Sequence, residues 1–477
     1  MESNRWLSTA VSGIFLAGAW AVKDVTPPAS APQKGLKVVV IGRAVSPECL
    51  PAGDPAQARL QRIALVHNDS KKADGCAIAA GANAAFGADR WKDARSYFHL
   101  EYLDDGDNEQ TAEELARRIE ADPDVLAVIG HTASSTTRLA APYYSEAGIP
   151  LLMPVATSQD VDHPSSRPRQ RERGTGPALP RVLDLSGWAD EHWDSESKLP
   201  NVFRLIPNDR RAQVPALAYV ASRITTGETI LVADVIEDRE YALPLQEGLK
   251  SILGKRKNVK DIIIDKNALL DKDLLDQRSD DLLDAQLVVF CGTKERAEAM
   301  LASLVKRRAR KPGPWPVFLL SDSSRPMSDI PGHLNVLVTF PVGDFSNAPN
   351  PDQTRVLQAA VYAGGSSYEV FAYDAVMLLS KVVSDIREHK LPVNRATISK
   401  ALSRVQQFSG GYKYSFSDGE NIHPAYFVFS AGPSVNQLKP CGDVAGQTAP
   451  PSADHGVLVF DCAIAPDSLA DFVPVDR

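Results

Sequence analysis

The sequence predicts an α/β fold built as two doubly wound parallel-sheet lobes. Short apolar runs alternate with helix-length amphipathic segments along most of the chain, the pattern of a mostly parallel sheet with helices on both faces. The runs are close to continuous in apolar residues, as strands buried on both faces are. At 477 residues the chain is too long for one compact core, and with 44% hydrophobic residues it can fill more than one.

The most informative unit is residues 125–157, VLAVIGHTASSTTRLAAPYYSEAGIPLLMPVAT. Its apolar run 125–129, closed by Gly130, reads as a buried strand, and a polar loop, 131–135, follows. Leu139, Ala140, Tyr143 and Tyr144 recur at helical spacing over 136–147, a helix that Ser134 and Ser135 can cap and Gly148 ends. Residues 149–155 give a second strand, left by the polar turn Ala156-Thr157-Ser158. In a parallel sheet both turns lie at the carboxyl ends of their strands, where open α/β sheets bind ligands. Ser134 Oγ and the amides of the helix start suit an anion such as a carboxylate. Taken alone, a serine in that position is more often only a cap.

The whole unit resembles the corresponding segment of the type I periplasmic solute-binding family, the leucine/isoleucine/valine-binding proteins, in its VIGH, SS-x-T, GIPLL and P-x-A-T motifs. The resemblance implies lobes joined by a multi-strand hinge, and a site in which Ser134, nearby amides including that of Ser135, the Val155 carbonyl and Thr157 hold the α-carboxylate of an amino acid. Further on, residues 202–213 resemble the family's FR-x-x-P-x-D-x-x-Q, which leads into the second lobe, residues 335–341 (NVLVTFP) its return crossing, and residues 408–429 its closing glycine-rich segment and terminal strand.

The same resemblance organises the rest of the chain. Residues 36–41 and 62–67 both read as strands. The alanine-rich helix 74–86 follows the second, so 62–67 is expected as the first core strand and 36–41 as an addition. Lobe 1 is then 36–158 with 342–408, and lobe 2 is 201–341 with 409–438. Strand 99–103 and helix 109–121 lead to the central unit; between them the acidic turn 104–107 lacks a calcium-loop pattern and reads as solvated. Strands 229–234, 261–264, 287–290 and 316–320, with helices 243–253 and 295–305, form the second set, and helices 368–386 and 395–405 close the first. On the second wall Asp322 matches the acid that pairs with the ligand's α-ammonium group, Thr293 stands where relatives often carry an aromatic, and Tyr241 is the nearest equivalent of a ligand-covering tyrosine. Each has a plainer reading, Asp322 as a turn cap above all.

Composition narrows the function. A net charge of −8 argues against nucleic acid as a partner, and the basic run 306–311 reads as the solvated end of a helix. Residues 6–22 are uncharged and mostly apolar after Arg5, and Ala19-Trp20-Ala21 resembles a signal-peptidase site. Residues 1–24 are therefore expected to be a signal peptide or membrane anchor, 25–35 a proline-rich tether, and the protein extracytoplasmic. Of the five cysteines, Cys441 with Cys462 and Cys49 with Cys76 can pair, although sequence does not fix connectivity, and Cys291 reads as a buried free thiol. No spacing suggests a metal, and no cofactor is expected.

The expected function is not enzymatic: capture of a small ligand, an amino acid or related carboxylate, and its delivery to the membrane permease of an ABC transporter. A membrane-anchored sensing ectodomain of the same fold, with a signalling partner, is the alternative. A serine hydrolase using Ser134 or Ser135 is a distant third, because no G-x-S-x-G elbow surrounds either. Residues 159–200, rich in arginine, proline and glycine, read as a surface insertion, and 439–477 as a tail outside the resemblance. Limited proteolysis should cut first within 159–200 and leave both lobes intact. Protection of that segment equal to that of the flanking strands, followed by mass spectrometry, would require a different domain map.

Overall fold

The computed structural model describes residues 35–43, 70–86, 98–158, 161, 199–225, 227–235, 239–255, 258–264, 272–324, 334–341, 368–417, 419–421, 427–430 and 459–460. Its elements, in chain order, begin with β1 (Leu36–Gly42), α1 (Ser70–Phe86), β2 (Phe98–Asp104), α2 (Glu109–Glu120), β3 (Val125–Ile129), α3 (Ser134–Glu146), β4 (Leu151–Met153) and β5 (Val202–Arg204). A π-helical turn, Asp209–Gln213, leads into α4 (Val214–Ile224), β6 (Thr229–Asp234), α5 (Arg239–Leu253), β7 (Val259–Ile264), α6 (Lys272–Asp284), β8 (Leu287–Cys291), α7 (Lys294–Arg308) and β9 (Val317–Leu320). A 3₁₀ turn, Asp322–Ser324, precedes β10 (Asn335–Phe340), α8 (Glu369–Glu388) and α9 (Arg395–Leu402). Short strands complete the fold: β11 (Phe408–Ser409), β12 (Lys413–Tyr414), β13 (Phe416–Ser417), β14 (Glu420–Asn421), β15 (Phe427–Ser430) and β16 (Val459–Phe460).

Two seven-stranded sheets result, in the orders β13-β14-β5-β4-β3-β1-β2 and β16-β15-β10-β9-β8-β6-β7. Within each, the first five strands in chain order pair parallel, and the antiparallel pairs come with the late strands, β13 with β14, β15 with β10 and β16 with β15. Both sheets therefore repeat one winding, with the direction of strand succession reversing between β1 and β3 and again between β6 and β8.

The alternation of side chains along a strand explains the layering. Val38 and Val40 of β1 face a core shared with α1, α8 and α9, while Val39 and Ile41 face another filled from α2 and α3. In the second sheet Leu231 and Ala233 of β6 meet α4 and α5, and Ile230 and Val232 meet α6 and α7. The run VVVI thus has no polar position because neither face meets water.

This overturns the assignment of the first core strand. Residues 36–42, expected as an addition, lie inside the sheet, paired on both sides between the edge strand β2 and β3. Residues 62–67 lie outside the described residues. Strand β5 and the segment 408–421 also depart from expectation. Val202–Arg204 pairs with β4, and β14 with β5, so both belong to the first sheet, and only β15 and the tail strand β16 join the second. Helix α6, not anticipated, supplies the crossover that β7 needs to reach the parallel β8. The insertion 159–200 and the export segment fall almost wholly outside the described residues; among those described, no helix is long and apolar enough to cross a membrane. Cys76 is disulfide-bonded, with its partner outside the described residues, and Cys291 is free and buried as expected.

Helix α8 is held to the β11–β12 hairpin by a single buried carboxylate. Asp374, 0% exposed, accepts bonds from the Gly411 amide (2.6 Å), the Tyr412 amide (3.1 Å) and the Tyr414 hydroxyl (2.7 Å). A Cβ on Gly410 would lie 2.2 Å from Asp374 Oδ1, so only glycine lets the hairpin approach this closely. Burial pushes the Asp374 carboxyl up to about 7, against the pull of its donors. A value raised above the unfolded one gives stability that is complete below the unfolded value and lost as pH rises through about 7. Urea midpoints should therefore fall between about pH 4 and 7, the window this shift spans, and Asp374→Asn should flatten that fall. Asp374→Ala, which orphans buried donors, should cost roughly 1–3 kcal/mol below pH 5 and less as pH rises through about 7.

Candidate functional site

The candidate residues gather at the carboxyl edges of both sheets, where each strand has run out of partners and its loop begins. On the first sheet, β3 ends at Gly130, where a Cβ would lie 2.1 Å from the Ile41 carbonyl oxygen of β1; only glycine allows the two strand ends to close up. Beyond it, Ala133 rather than a serine is the N-cap of α3, and it makes no side-chain cap bond. Ser134 and Ser135, expected as caps, are instead the first residues of the helix, both buried. Thr136 and Thr137 turn their hydroxyls back onto the Ala133 carbonyl, at 3.1 and 2.6 Å. The first-turn amides are thus not covered by a cap side chain, a setting that favours an anion.

Ser134 Oγ accepts from the Ser158 amide at 3.4 Å, which ties the β3–α3 turn to the turn after β4. Thr157, 3% exposed, sits in that second turn, and its carbonyl accepts from the Asp209 amide at 3.0 Å. The Val155 side chain belongs to the first core, which leaves its backbone as the part able to serve a ligand. The turn carrying Ser134 and Ser135 and the turn carrying Val155 and Thr157 are thus neighbours at one sheet edge, joined by the Ser134–Ser158 bond.

Behind this wall is a network that sequence reasoning misjudged. Asp105, placed in a solvated acidic turn, is 0% exposed. Its Oδ2 lies 2.6 Å from His131 Nδ1, and His131 Nε2 lies 3.0 Å from the Tyr144 hydroxyl. Asp107 accepts from the Thr132 hydroxyl at 2.8 Å and pairs with Arg43 at 3.0 Å. Burial pushes the Asp107 carboxyl up, while Thr132 and Arg43 pull it back. These bonds lock together the loops after β1, β2 and β3. They also occupy both ring nitrogens of His131 with partners other than a serine, so no hydrogen bond from His131 prepares Ser134 or Ser135 as a nucleophile.

The second wall forms around Gly292. Ser321 Oγ accepts from the Gly292 amide at 3.2 Å, and Ser324 Oγ donates to the Gly292 carbonyl at 2.9 Å, which fixes the turn after β9 against the turn after β8. Thr293, the half-buried N-cap of α7, and Asp322, 0% exposed, are thereby neighbours on one edge. Tyr241, in the first turn of α5, donates to Asp322 Oδ1 at 2.5 Å and accepts from Gln213 Nε2 at 3.3 Å. Burial, with the Asp322 and Asp209 carboxylates close by, holds the Tyr241 phenol well above its ordinary range, so it stays a proton donor. Tyr241 and Asp322 thus touch each other, which their separation in sequence did not suggest.

The walls are connected. Helix α3, which begins with Ser134, packs against α5, which carries Tyr241. The segment 204–213 runs between them, with Asp209 reaching Thr157 and Gln213 reaching Tyr241. Asp209 and Gln213, both buried, were legible only as part of the motif that opens the second lobe and had no role assigned. A separate surface cavity of about 600 Å³, lined by Thr225, Gln286, Arg308 and Trp315 among others, lies at the amino ends of β8 and β9 and contains none of these residues. The polar chemistry is at the opposite edge, where α/β sheets bind ligands.

No family model matches the sequence, and no curated protein matches it. Solved structures do match. A solute-binding protein of an ABC transporter from R. palustris, in complex with benzoate, superposes with a TM-score of 0.58 at 15% identity, covering 91% of this chain and 97% of its own. The branched-chain amino acid substrate-binding protein LivJ from Streptococcus pneumoniae, in complex with isoleucine, gives 0.56 at 16% identity over 84% of this chain and 97% of its own. The leucine-binding protein LivK from Thermotoga maritima gives 0.53 at 17% identity over 83% and 95%. At identities this low the likeness establishes architecture: this chain has the type I periplasmic-binding-protein fold.

Proposed function

We propose that this protein is an extracytoplasmic solute-binding protein that closes its two lobes on a small carboxylate-bearing ligand, preferably an amino acid, for delivery to an ABC-type permease. The observation that carries the reading is the pairing of unlike walls. Amides and hydroxyls, the donors an anion needs, line the edge at Ser134 and Thr157. A buried carboxylate and the phenol bonded to it, Asp322 and Tyr241, line the other. A zwitterion satisfies both at once, and only the closed form offers both, so ligand free energy favours closure. Solved relatives in fold hold isoleucine in one case and benzoate in another, which supports a carboxylate as the common element and leaves the amine to this chain's own second wall. The hydroxyls fit binding better than hydrolysis, because His131 is committed to Asp105 and Tyr144.

A thermal-shift screen against amino acids, small peptides, amides and aromatic acids should return a ligand, since binding to the native state alone raises apparent stability. With that ligand, calorimetry on Ser134→Ala should show binding about ten- to a hundredfold weaker, the loss of one bond to a charged group. Asp322→Asn keeps the shape and an acceptor for Tyr241 while removing the charge. It should weaken an amino acid at least about tenfold and leave an acid without an amine nearly unchanged. Parent-like binding by both variants would move the site elsewhere.

A further inference from the structure

Among the described residues the bulkiest side chain buried below 2% exposure is a charged one, Arg204, at 1%. It closes β5, the point at which the chain leaves the first sheet for α4. Its Nη1 donates to the Ala156 carbonyl at 2.7 Å, and its Nε donates to Glu420 Oε1 at 3.1 Å. Glu420, 3% exposed, lies directly opposite Arg204 in β14, in the stretch that goes on to β15 of the second sheet. The ion pair thus joins two strands of the first sheet, β5 and β14, each followed in sequence by elements of the second. Ala156 is the residue between Val155 and Thr157. The rest of that turn is fixed from the same segment, Met153 by the Leu205 amide at 3.0 Å and Thr157 by the Asp209 amide at 3.0 Å.

Stability alone does not account for such a pair. Desolvating two charges offsets most of their attraction, and well-packed apolar residues of similar volume often do as well or better. What an apolar pair cannot do is aim a carbonyl. A guanidinium holds several donors in fixed directions in one plane, so it can set Ala156 and Glu420 at a constant angle to each other.

We infer that Arg204 is a positioning residue for the ligand wall: it sets the direction of the Val155 carbonyl and the Thr157 hydroxyl through Ala156, and through Glu420 it couples that setting to rotation of the second lobe. This rests on the solute-binding reading, and it adds that ligand affinity and lobe closure share one buried ion pair outside the contact surface.

The test separates positioning from stability. The double variant Arg204→Met with Glu420→Leu removes both charges together and should melt at or above the parent temperature. It should nevertheless bind L-isoleucine or benzoate, whichever the parent binds, about tenfold or more weakly, and ligand should no longer reduce its radius of gyration in small-angle X-ray scattering as it does the parent's. Arg204→Lys keeps the charge but not the fork, so it should fold, lose affinity in the same direction, and show faster amide hydrogen exchange at residues 155–158 without ligand. Parent-like affinity and exchange in Arg204→Lys overturn the inference even if the double variant does not fold. A parent that binds neither probe and nothing in the wider screen overturns the solute-binding reading instead; the exchange rates at 155–158 still report on Arg204.

Discussion

Parallel strands cannot be joined by tight turns. Each must be followed by a crossover that returns the chain to the starting edge, and this constraint decides where the polar chemistry of the molecule lies. Every βα turn of a sheet falls on one side, and the first turns of the helices, with amides lacking helical acceptors, fall there too. Both sheets share one winding, so each has a point where successive strands part company, between β1 and β3 and between β6 and β8. Gly130 at the first and Gly292 at the second mark how closely the strand ends approach there; a Cβ on Gly292 would lie 2.8 Å from the Asp234 side chain. The candidate ligand residues stand beside these points because the backbone leaves the most unspent hydrogen-bonding capacity there.

The two edges carry opposite chemistry on the same scaffold. The first offers donors, backed by a web of the buried Asp105, His131, Tyr144 and Thr132 and the half-buried Asp107 and Arg43 that ties its loops together. The second offers acceptors, with the buried Asp322 carboxylate answered by a tyrosine that burial keeps protonated. Such polar networks are strong when complete and costly when broken, so each holds the loops of its own edge together.

Which parts of this were legible in the sequence follows from the range of the interactions. The unit 125–157 was readable because its strand, turn, helix and strand are each set by neighbours within a few residues, and the structure places them within a residue or two of that reading, β4 aside, which is shorter. The choice between 36–41 and 62–67 was not local. It depended on which run pairs on both sides, and the closeness of 62–67 to the helix Ser70–Phe86 pointed the wrong way. Asp105 was misread for a similar reason: its partner His131 is 26 residues away, and nothing in DDGD distinguishes an acid that will be buried from one that will be hydrated. For the site, Ser134, Thr157 and Asp322 became candidates through their match to the family's motifs, since residue type alone reads as a cap or a turn, whereas the contact between Tyr241 and Asp322 spans 81 residues and comes only with the fold.

Cys291 closes β8 next to this chemistry, and it is the one cysteine known to be unpaired among the described residues. Burial, together with Asp209 and Asp322, pushes its thiol far up, and disulfide exchange proceeds through the thiolate. In the folded chain it is therefore chemically silent, even where Cys76 is oxidised. The protection belongs to the completed second sheet, not to the residue. While β8 is still unpaired, the same sulfur is an ordinary thiol in a chain with an odd number of cysteines, five in all. The order of events during oxidative folding then matters: a bridge made before the second sheet closes over Cys291 can capture that thiol and trap the strand outside its sheet.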